Sequence, residues 1–501
     1  MNTGYNTQIE YIDNFYNDWS RSNLNLQCVL RGIQPPEIRV ACELGFGQGI
    51  TLNLLATDST VDWYGTDFMT SQARNAQALA DATNNGAKIY NFSFAEFAQV
   101  EGLPKFDLIV LHGIFSWIAH EDQQTIVSFI QSNLSEHGIV FISYNARPGT
   151  DAFRPAQYLM NQLRKSLPQS IQDPVQQVKE VIGFMEQFHN INPGYLTSMP
   201  TIKDRFEEIK AKDQKYLVHE YFNEYWDSFF FSEIAQYLAP HGLAYLGQSN
   251  YKDDMLALNF TKEQLTLLSQ LKGPLAEDFK DAMMNRRFRR DIWIKQPKRM
   301  TNESLTDWFD QAYIIQSLPP VSIDLTVNGV QASAMLDNLL YQQLFNLLSD
   351  FKPKSLNSVL KSLNISQSQL LEMIGLLHDK HIVMLTSDPE PTEQTIASCN
   401  RFNQERIRQA LATQSQTTLA LPRINTGFSV DYWLCLYIHL SNKNALTTPQ
   451  HIYEYLQNNA LKLNNLPGEG NYESKLIDFC KTIVRSIEND YLDFIKAHLL
   501  V

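Results

Sequence analysis

Cysteine is scarce: the 501 residues hold 5, at Cys28, Cys42, Cys399, Cys435 and Cys480, with no C-x-x-C among them. Such spacing gives neither a zinc ribbon nor a disulfide framework, and it leads us to expect reduced thiols in the cytoplasm and no resident metal. Long apolar runs are missing as well. No window reaches about 18 uninterrupted apolar residues, and Met1 to Tyr5 opens no basic run followed by an apolar core. A soluble, unexported chain without stable membrane insertion is the expectation. Positive charge is in deficit: 41 Lys and Arg stand against 54 Asp and Glu, a net charge of -13. Affinity for a phosphate backbone needs clustered Lys and Arg, so a nucleic-acid partner is not expected. Internal repeats and low-complexity tracts are absent too.

The remaining composition, 44% hydrophobic and 11% aromatic, is that of an ordinary globular protein long enough for several domains. Its organising stretch is Ile38 to Ile50, Ile-Arg-Val-Ala-Cys-Glu-Leu-Gly-Phe-Gly-Gln-Gly-Ile. A β-branched apolar run ends at Glu43 and passes at once into Gly45, Gly47 and Gly49, which reads as a strand, a glycine turn and a helix start. Glycines permit a sharp turn and close ligand approach, and free N–H groups at a helix start favour negative charge. A dinucleotide fingerprint needs a small third residue where Ile50 stands, so that pattern fails.

Val61 to Asp67 is a second short strand with an acidic end, about twenty residues beyond the glycines, the offset at which a carboxylate accepts ribose hydroxyls. Helix over 71–82, strand over 86–91, strand over 105–112, helix over 122–134 and strand over 138–145 follow. Strands that are nearly continuously apolar and alternate with helices imply a parallel sheet covered on both faces. Ligands of such sheets lie beyond the carboxyl ends of the strands, which would bring Glu43 to Gly49, Asp67, Ser93, His112 and Ser143 to Asn145 around one crevice.

Six stretches together carry a resemblance: Glu-Leu-Gly-Phe-Gly-Gln-Gly (43–49), Trp-Tyr-Gly-Thr-Asp-Phe (63–68), Ser-Phe-Ala-Glu-Phe (93–97), Leu-His-Gly-Ile-Phe-Ser-Trp-Ile (111–118), Ile-Ser-Tyr-Asn-Ala-Arg-Pro-Gly (142–149) and Tyr-Leu-Val-His-Glu-Tyr-Phe-Asn-Glu-Tyr-Trp (216–226). Over roughly residues 4–300 the chain resembles bacterial class I methyltransferases that carry a methyltransferase regulatory domain, whose relatives include enzymes methylating lysines of outer-membrane proteins. The resemblance implies an α/β, Rossmann-like fold, S-adenosyl-L-methionine as cofactor and transfer of its methyl group to a protein side chain such as lysine. It also implies cofactor contacts at Glu43, Gly45, Gly47, Gly49, Asp67, Phe68, Ser93, Phe94 and His112. Two departures matter. Phe92, Ser93 and Phe94 precede any acid where such enzymes often hold the adenine amino group, and His112 to Phe115 lacks the Asn/Asp-Pro-Pro-aromatic signature for planar nitrogens.

Sulfonium methyl transfer needs alignment in a pocket closed to water more than covalent help. A lysine acceptor must lose a proton first, and aromatic walls suit its cationic product. Tyr144 and His219 are the catalytic candidates. Trp117, Asn145, Glu220, Tyr221 and Trp226 are candidates for acceptor binding, each with an equally plain reading as packing. Two alternatives stay open: an O- or N-methyltransferase of a small molecule or glycan, and a non-catalytic S-adenosylmethionine-binding interaction protein.

The expected organisation is an N-terminal helical lid over 1–32, from which Tyr5 or Tyr11 closes on the cofactor, then a Rossmann-like domain over 33–149. A helical insertion over 150–215 and a regulatory segment over 216–298 that completes the sheet follow, with a helix expected over 261–285. Residues 299–390 read as a linker and a winged-helix-like domain. Its second helix carries few cations, which favours protein contact or homodimerisation over DNA. Residues 391–501 read as a helical region without chemistry.

Overall fold

The computed structural model describes residues 9–499 apart from 12, 388, 443–446, 464, 465, 468 and 470. Its centre is a seven-stranded sheet: β1 Val40–Leu44, β2 Asp62–Thr66, β3 Lys88–Tyr90, β4 Phe106–Leu111, β5 Leu134–Asn145, β6 Leu243–Gln248 and β7 Phe288–Lys295. The order is β3-β2-β1-β4-β5-β7-β6, with β7 antiparallel to both neighbours and β1 to β5 parallel. Chain direction across the sheet reverses between β1 and β4, and a crevice opens there beyond the strand ends. The expected strands are therefore present. β6 and β7 return after the long insertion to finish the sheet.

The insertion builds helices Arg154–Ser166, Pro174–Asn190 and Thr201–Lys210, followed by Gln214–Tyr221. Asp173 caps the second of these, accepting from the Val175 and Gln176 amides with Pro174 at the first helical position. Phe153, Met160, Val181, Phe206 and Trp226 give this roof a core of its own. It stands over the crevice because β5 delivers the chain there.

Several expectations fail locally. Among the described residues of the helical lid expected over 1–32, helix is confined to Arg21–Leu30, begun by the Ser20 side chain, which accepts from the Asn23 amide. Residues 13–19 hold no helix. Asn17 there accepts from Thr426 and Asp18 from Ser249, while Asn14 donates to Tyr16 within the segment, and such side chains compete with helix formation. The single helix expected over 261–285 is broken into Lys262–Leu268 and Pro274–Met284, with Gly273 at φ +60 between them. The expected linker contains helix Asn302–Gln311 and strand Tyr313–Gln316. The featureless C-terminal region contains an antiparallel hairpin, Thr417–Leu421 with Thr426–Val430.

Residues 299–390 form a three-stranded sheet in which Tyr313–Gln316 lies between Lys354–Ser355 and Val383–Thr386, with helices Leu339–Leu348, Leu356–Leu363 and Gln367–Asp379 around it. Helix Gln367–Asp379, which would read a groove in a DNA-binding winged helix, is spent internally. His378 Nε2 lies 3.1 Å from Ser22 Oγ, and Asp379 accepts from the Tyr251 amide at 2.9 Å.

Cys399, Phe402 and Ala420 sit in the same apolar core as Trp63, Ala76 and Leu79. The C-terminal region is thus joined to the sheet by shared packing rather than tethered beside it. Phe402→Ala should cost about 3–5 kcal/mol, as loss of a fully buried ring does. In urea melts, sheet and C-terminal probes should still move together at a lower midpoint; two separated transitions would show an independent C-terminal unit.

Candidate functional site

The turn after β1 is left-handed three times over, at Gly45 (φ +75), Gly47 (φ +57) and Gly49 (φ +68). A Cβ on Gly45 would stand 2.3 Å from Ile114 Cδ1, and one on Gly49 2.6 Å from Ala76 Cβ. The turn is therefore closed to larger residues from both sides. Asp67, just past β2, reaches across to it: Oδ2 accepts from the Gly47 amide and Oδ1 from the Met69 amide, each at 2.9 Å. Burial nevertheless raises the Asp67 carboxyl to about 7, against the lowering pull of those two amides. Glu43, next to last in β1, has Oε2 buried with no hydrogen-bond partner among the described residues. Burial first, and then the neighbouring Asp67, hold its carboxyl well above the ordinary range. Two carboxyls buried together are a receptor for positive charge and hydroxyl donors.

Both open into one cavity of about 1020 Å³. Gly45, Gly47, Gly49, Phe68, Ser93, Phe94 and His112 line it beside Glu43 and Asp67, and so do Tyr11, Trp117, Asn145, Glu220, Tyr221 and Trp226. Tyr5 lies outside the described residues. Ser93 has a local duty as well: it caps helix Phe94–Phe97, its hydroxyl donating to Glu96 at 2.7 Å.

Across the cavity from the glycine turn, under the helical roof, Glu220 is the one carboxyl of helix Gln214–Tyr221. Tyr11 donates its hydroxyl to Glu220 Oε1 at 3.1 Å, and the Trp117 indole donates to the Glu220 carbonyl at 3.3 Å. Burial raises the Glu220 carboxyl to about 7, while Tyr11 and Arg205 draw it down. His112 goes the other way: burial lowers it to about 4, so at neutral pH it is an uncharged ring packed on Tyr16 with centroids 4.1 Å apart. Of the two, Glu220 is the group poised to exchange a proton near neutrality.

The two residues expected to be catalytic lie elsewhere. Tyr144 points to the opposite face of β5 from Asn145, as neighbours on a strand must. It is fully buried, donates to Asp291 at 2.7 Å and belongs to a network in which Arg289 binds Asp281 and Asp291. His219 precedes Glu220 on the helix but is not part of the cavity lining; it is buried behind Tyr11, with ring centroids 5.3 Å apart. Tyr16, Arg205, Tyr216, Phe288 and Arg290 line the cavity without having been singled out. The Phe288-Arg-Arg run at the start of β7 was the available sign, because β7 begins at the crevice.

Comparison with known proteins follows this geometry. Residues 213–295 match the family model described as a predicted methyltransferase regulatory domain. That span runs from the start of the Glu220 helix to the end of β7. An uncharacterized protein of Synechocystis sp. is 29% identical over 504 residues, covering 98% of each chain. An uncharacterized protein of Rickettsia prowazekii is 24% identical over 313 residues, 60% of this chain and 55% of that one. The structure of PKMT2 from Rickettsia typhi in complex with AdoHcy superposes with a TM-score of 0.69 at 19% identity, covering 97% of this chain and 99% of the other. The two chains share a fold.

Tyr144→Phe should lower stability by about 1–3 kcal/mol, the cost of leaving a buried acceptor short of its donor. Ligand affinity at the cavity, followed by calorimetry alongside thermal unfolding, should be unchanged; a loss of affinity with unchanged stability would return Tyr144 to the site.

Proposed function

We propose that this protein is an S-adenosylmethionine-dependent methyltransferase whose acceptor is an amine, in the first instance a lysine side chain. The observation that carries the reading is Glu43, a buried carboxyl with an unpartnered oxygen beside Asp67, opening into the cavity that also holds Glu220. The regulatory-domain match and the AdoHcy complex of PKMT2 support it.

The residues fit the cofactor. Glu43 would hold the ammonium at its amino acid end, and Asp67 would accept from its ribose hydroxyls. The Gly45 to Gly49 turn lets the backbone approach, while Phe68 and Phe94 offer flat faces to the purine. When bound, S-adenosylmethionine supplies a methyl group already activated on a sulfonium. The protein's share is alignment, exclusion of water and proton management. Glu220 takes a proton from the acceptor ammonium and leaves a neutral amine with its lone pair free. Trp117, Tyr221 and Trp226 wall that end and accommodate the cationic product. Asn145 fixes the approach from the end of β5.

A small-molecule acceptor is the second reading, favoured by one observation: Phe153, Ile202 and Arg205 of the insertion roof the cavity, and no described residue beyond Arg290 lines it. None of the described residues of 299–390 lines it, so on the first reading a protein acceptor inserts a single side chain. Transfer of a labelled methyl group to poly-L-lysine, scored in the acid-precipitable fraction, separates the two readings.

Calorimetric titration is the primary test. S-adenosylmethionine and its demethylated product should both bind, and Asp67→Ala should weaken each by about 1–3 kcal/mol. Absence of binding to the native chain would remove the methyltransferase reading.

The pH dependence follows from the raised carboxyls. Asp67 and Glu220 each bind a proton more tightly folded than unfolded, so their contribution to stability is full below the ordinary carboxyl range and is lost as pH rises through about 7. Unliganded protein should therefore melt lower at pH 8 than at pH 5.5, and a cationic cofactor should raise the melting temperature more at the higher pH. Methyl transfer should rise with pH up to about 7 and be lost in Glu220→Gln. A flat pH profile in the native enzyme would remove Glu220 as the base.

A further inference from the structure

Residues 13–19 run unhelical between the cavity and the C-terminal region and are bonded on both sides. Toward the cavity, the Tyr16 amide donates to Thr51 Oγ1 at 3.1 Å, the Tyr16 ring lies on His112, and Arg290 binds Asp18 at 3.4 Å. Away from it, Thr426 donates to Asn17 Oδ1 at 2.7 Å in a buried contact, and Arg406 binds Asp13 at 3.0 Å. Phe15 packs so closely on the hairpin that a Cβ on Gly427 would stand 2.7 Å from its ring. Asn14 and Tyr16 line the cavity themselves. The wall of the site is thus pinned by side chains about four hundred positions later.

We propose that Thr426 and Arg406 are positioning residues of the cofactor cavity, acting through Asn17 and Asp13 to hold Tyr16 against His112 and so to retain the bound nucleoside. The inference rests on the cavity being the cofactor site, and it gives the C-terminal region a part in that site beyond packing. The segment is suited to transmitting position: without helical hydrogen bonds of its own, it sits where its side-chain contacts put it. Loss of one buried acceptor's partner moves such a segment more than it moves the sheet below.

The test uses the full chain and S-adenosylhomocysteine, with the dissociation rate read by stopped-flow displacement and amide exchange followed over residues 13–19. Thr426→Val should raise the dissociation rate about tenfold, in keeping with a buried acceptor left unpaired. Arg406→Ala should raise it by about two- to fivefold, as a part-exposed ion pair does, with Arg406→Lys restoring the native rate. Exchange should accelerate over 13–19 and not in β1 or β4. A dissociation rate unchanged in Thr426→Val and Arg406→Ala would overturn the proposal even with faster exchange, since that pattern is purely structural. If Thr426→Val does not fold, the Arg406 pair decides alone. Failure of the native chain to bind S-adenosylhomocysteine would instead refute the cofactor reading, and the proposal with it.

Discussion

A carboxyl group taken out of water must find a partner or keep its proton, and Glu43 is placed so that none of the described residues gives Oε2 one. The surrounding structure holds that arrangement in place. β1 must run straight into the turn to bury Glu43, three glycines must take left-handed angles to leave room above it, and Asp67 must fasten the turn through the Gly47 amide. Replacing the pair by apolar residues would relieve the burial and give a more comfortable core. Keeping two proton-hungry groups side by side makes sense where a cationic, hydroxyl-bearing ligand neutralises both.

Glu220 repeats the device at the other end of the cavity. The two raised carboxyls have different surroundings. Asp67 is held by two backbone amides and is fixed in place, whereas Glu220 carries one tyrosine hydroxyl in a wall of rings and keeps lone pairs free. The first environment suits holding a ligand, and the second suits moving a proton. His112, lowered by the same burial that raises the carboxyls, is unsuited to basic work and serves as a flat neutral surface under Tyr16.

The sheet was legible because its signals are local. An apolar run, an acidic end and a glycine turn lie within a dozen residues, and β-strand periodicity is short enough to survive without knowledge of the partners. The glycine-turn half of the cavity was legible for the same reason. The half under the helical roof was read one residue out of phase. Tyr144 beside Asn145 and His219 beside Glu220 are each a pair in which one member must face the cavity and the other the core, and phase cannot be set from a motif when both members carry chemistry. Only tertiary packing decides it: Arg289 and Asp291 draw Tyr144 inward, and His219 is buried against Tyr11 of the N-terminal segment. The hairpin at Thr417–Leu421 was hidden differently. Its first strand is buried at every position and shows no alternation of burial to distinguish it from the helices around it.

The N-terminal segment was misread for a reason that bears on function. Tyr11, Phe15, Tyr16 and Trp19 fall at helical spacing, yet they reach several parts of the fold: Tyr11 goes to Glu220, Phe15 to Gly427, Tyr16 and Trp19 both to His112, and Trp19 on to Phe141. A helix would have spent them on one face. An extended segment distributes them among the roof, the C-terminal hairpin, the crevice and the sheet core, so that parts far apart in sequence meet on one short stretch. That arrangement ties the shape of the cavity to the integrity of the whole chain. It explains why the C-terminal region, whose described residues carry none of the cavity's lining, is packed into the sheet's own core through Cys399, Phe402 and Ala420 rather than left on a linker.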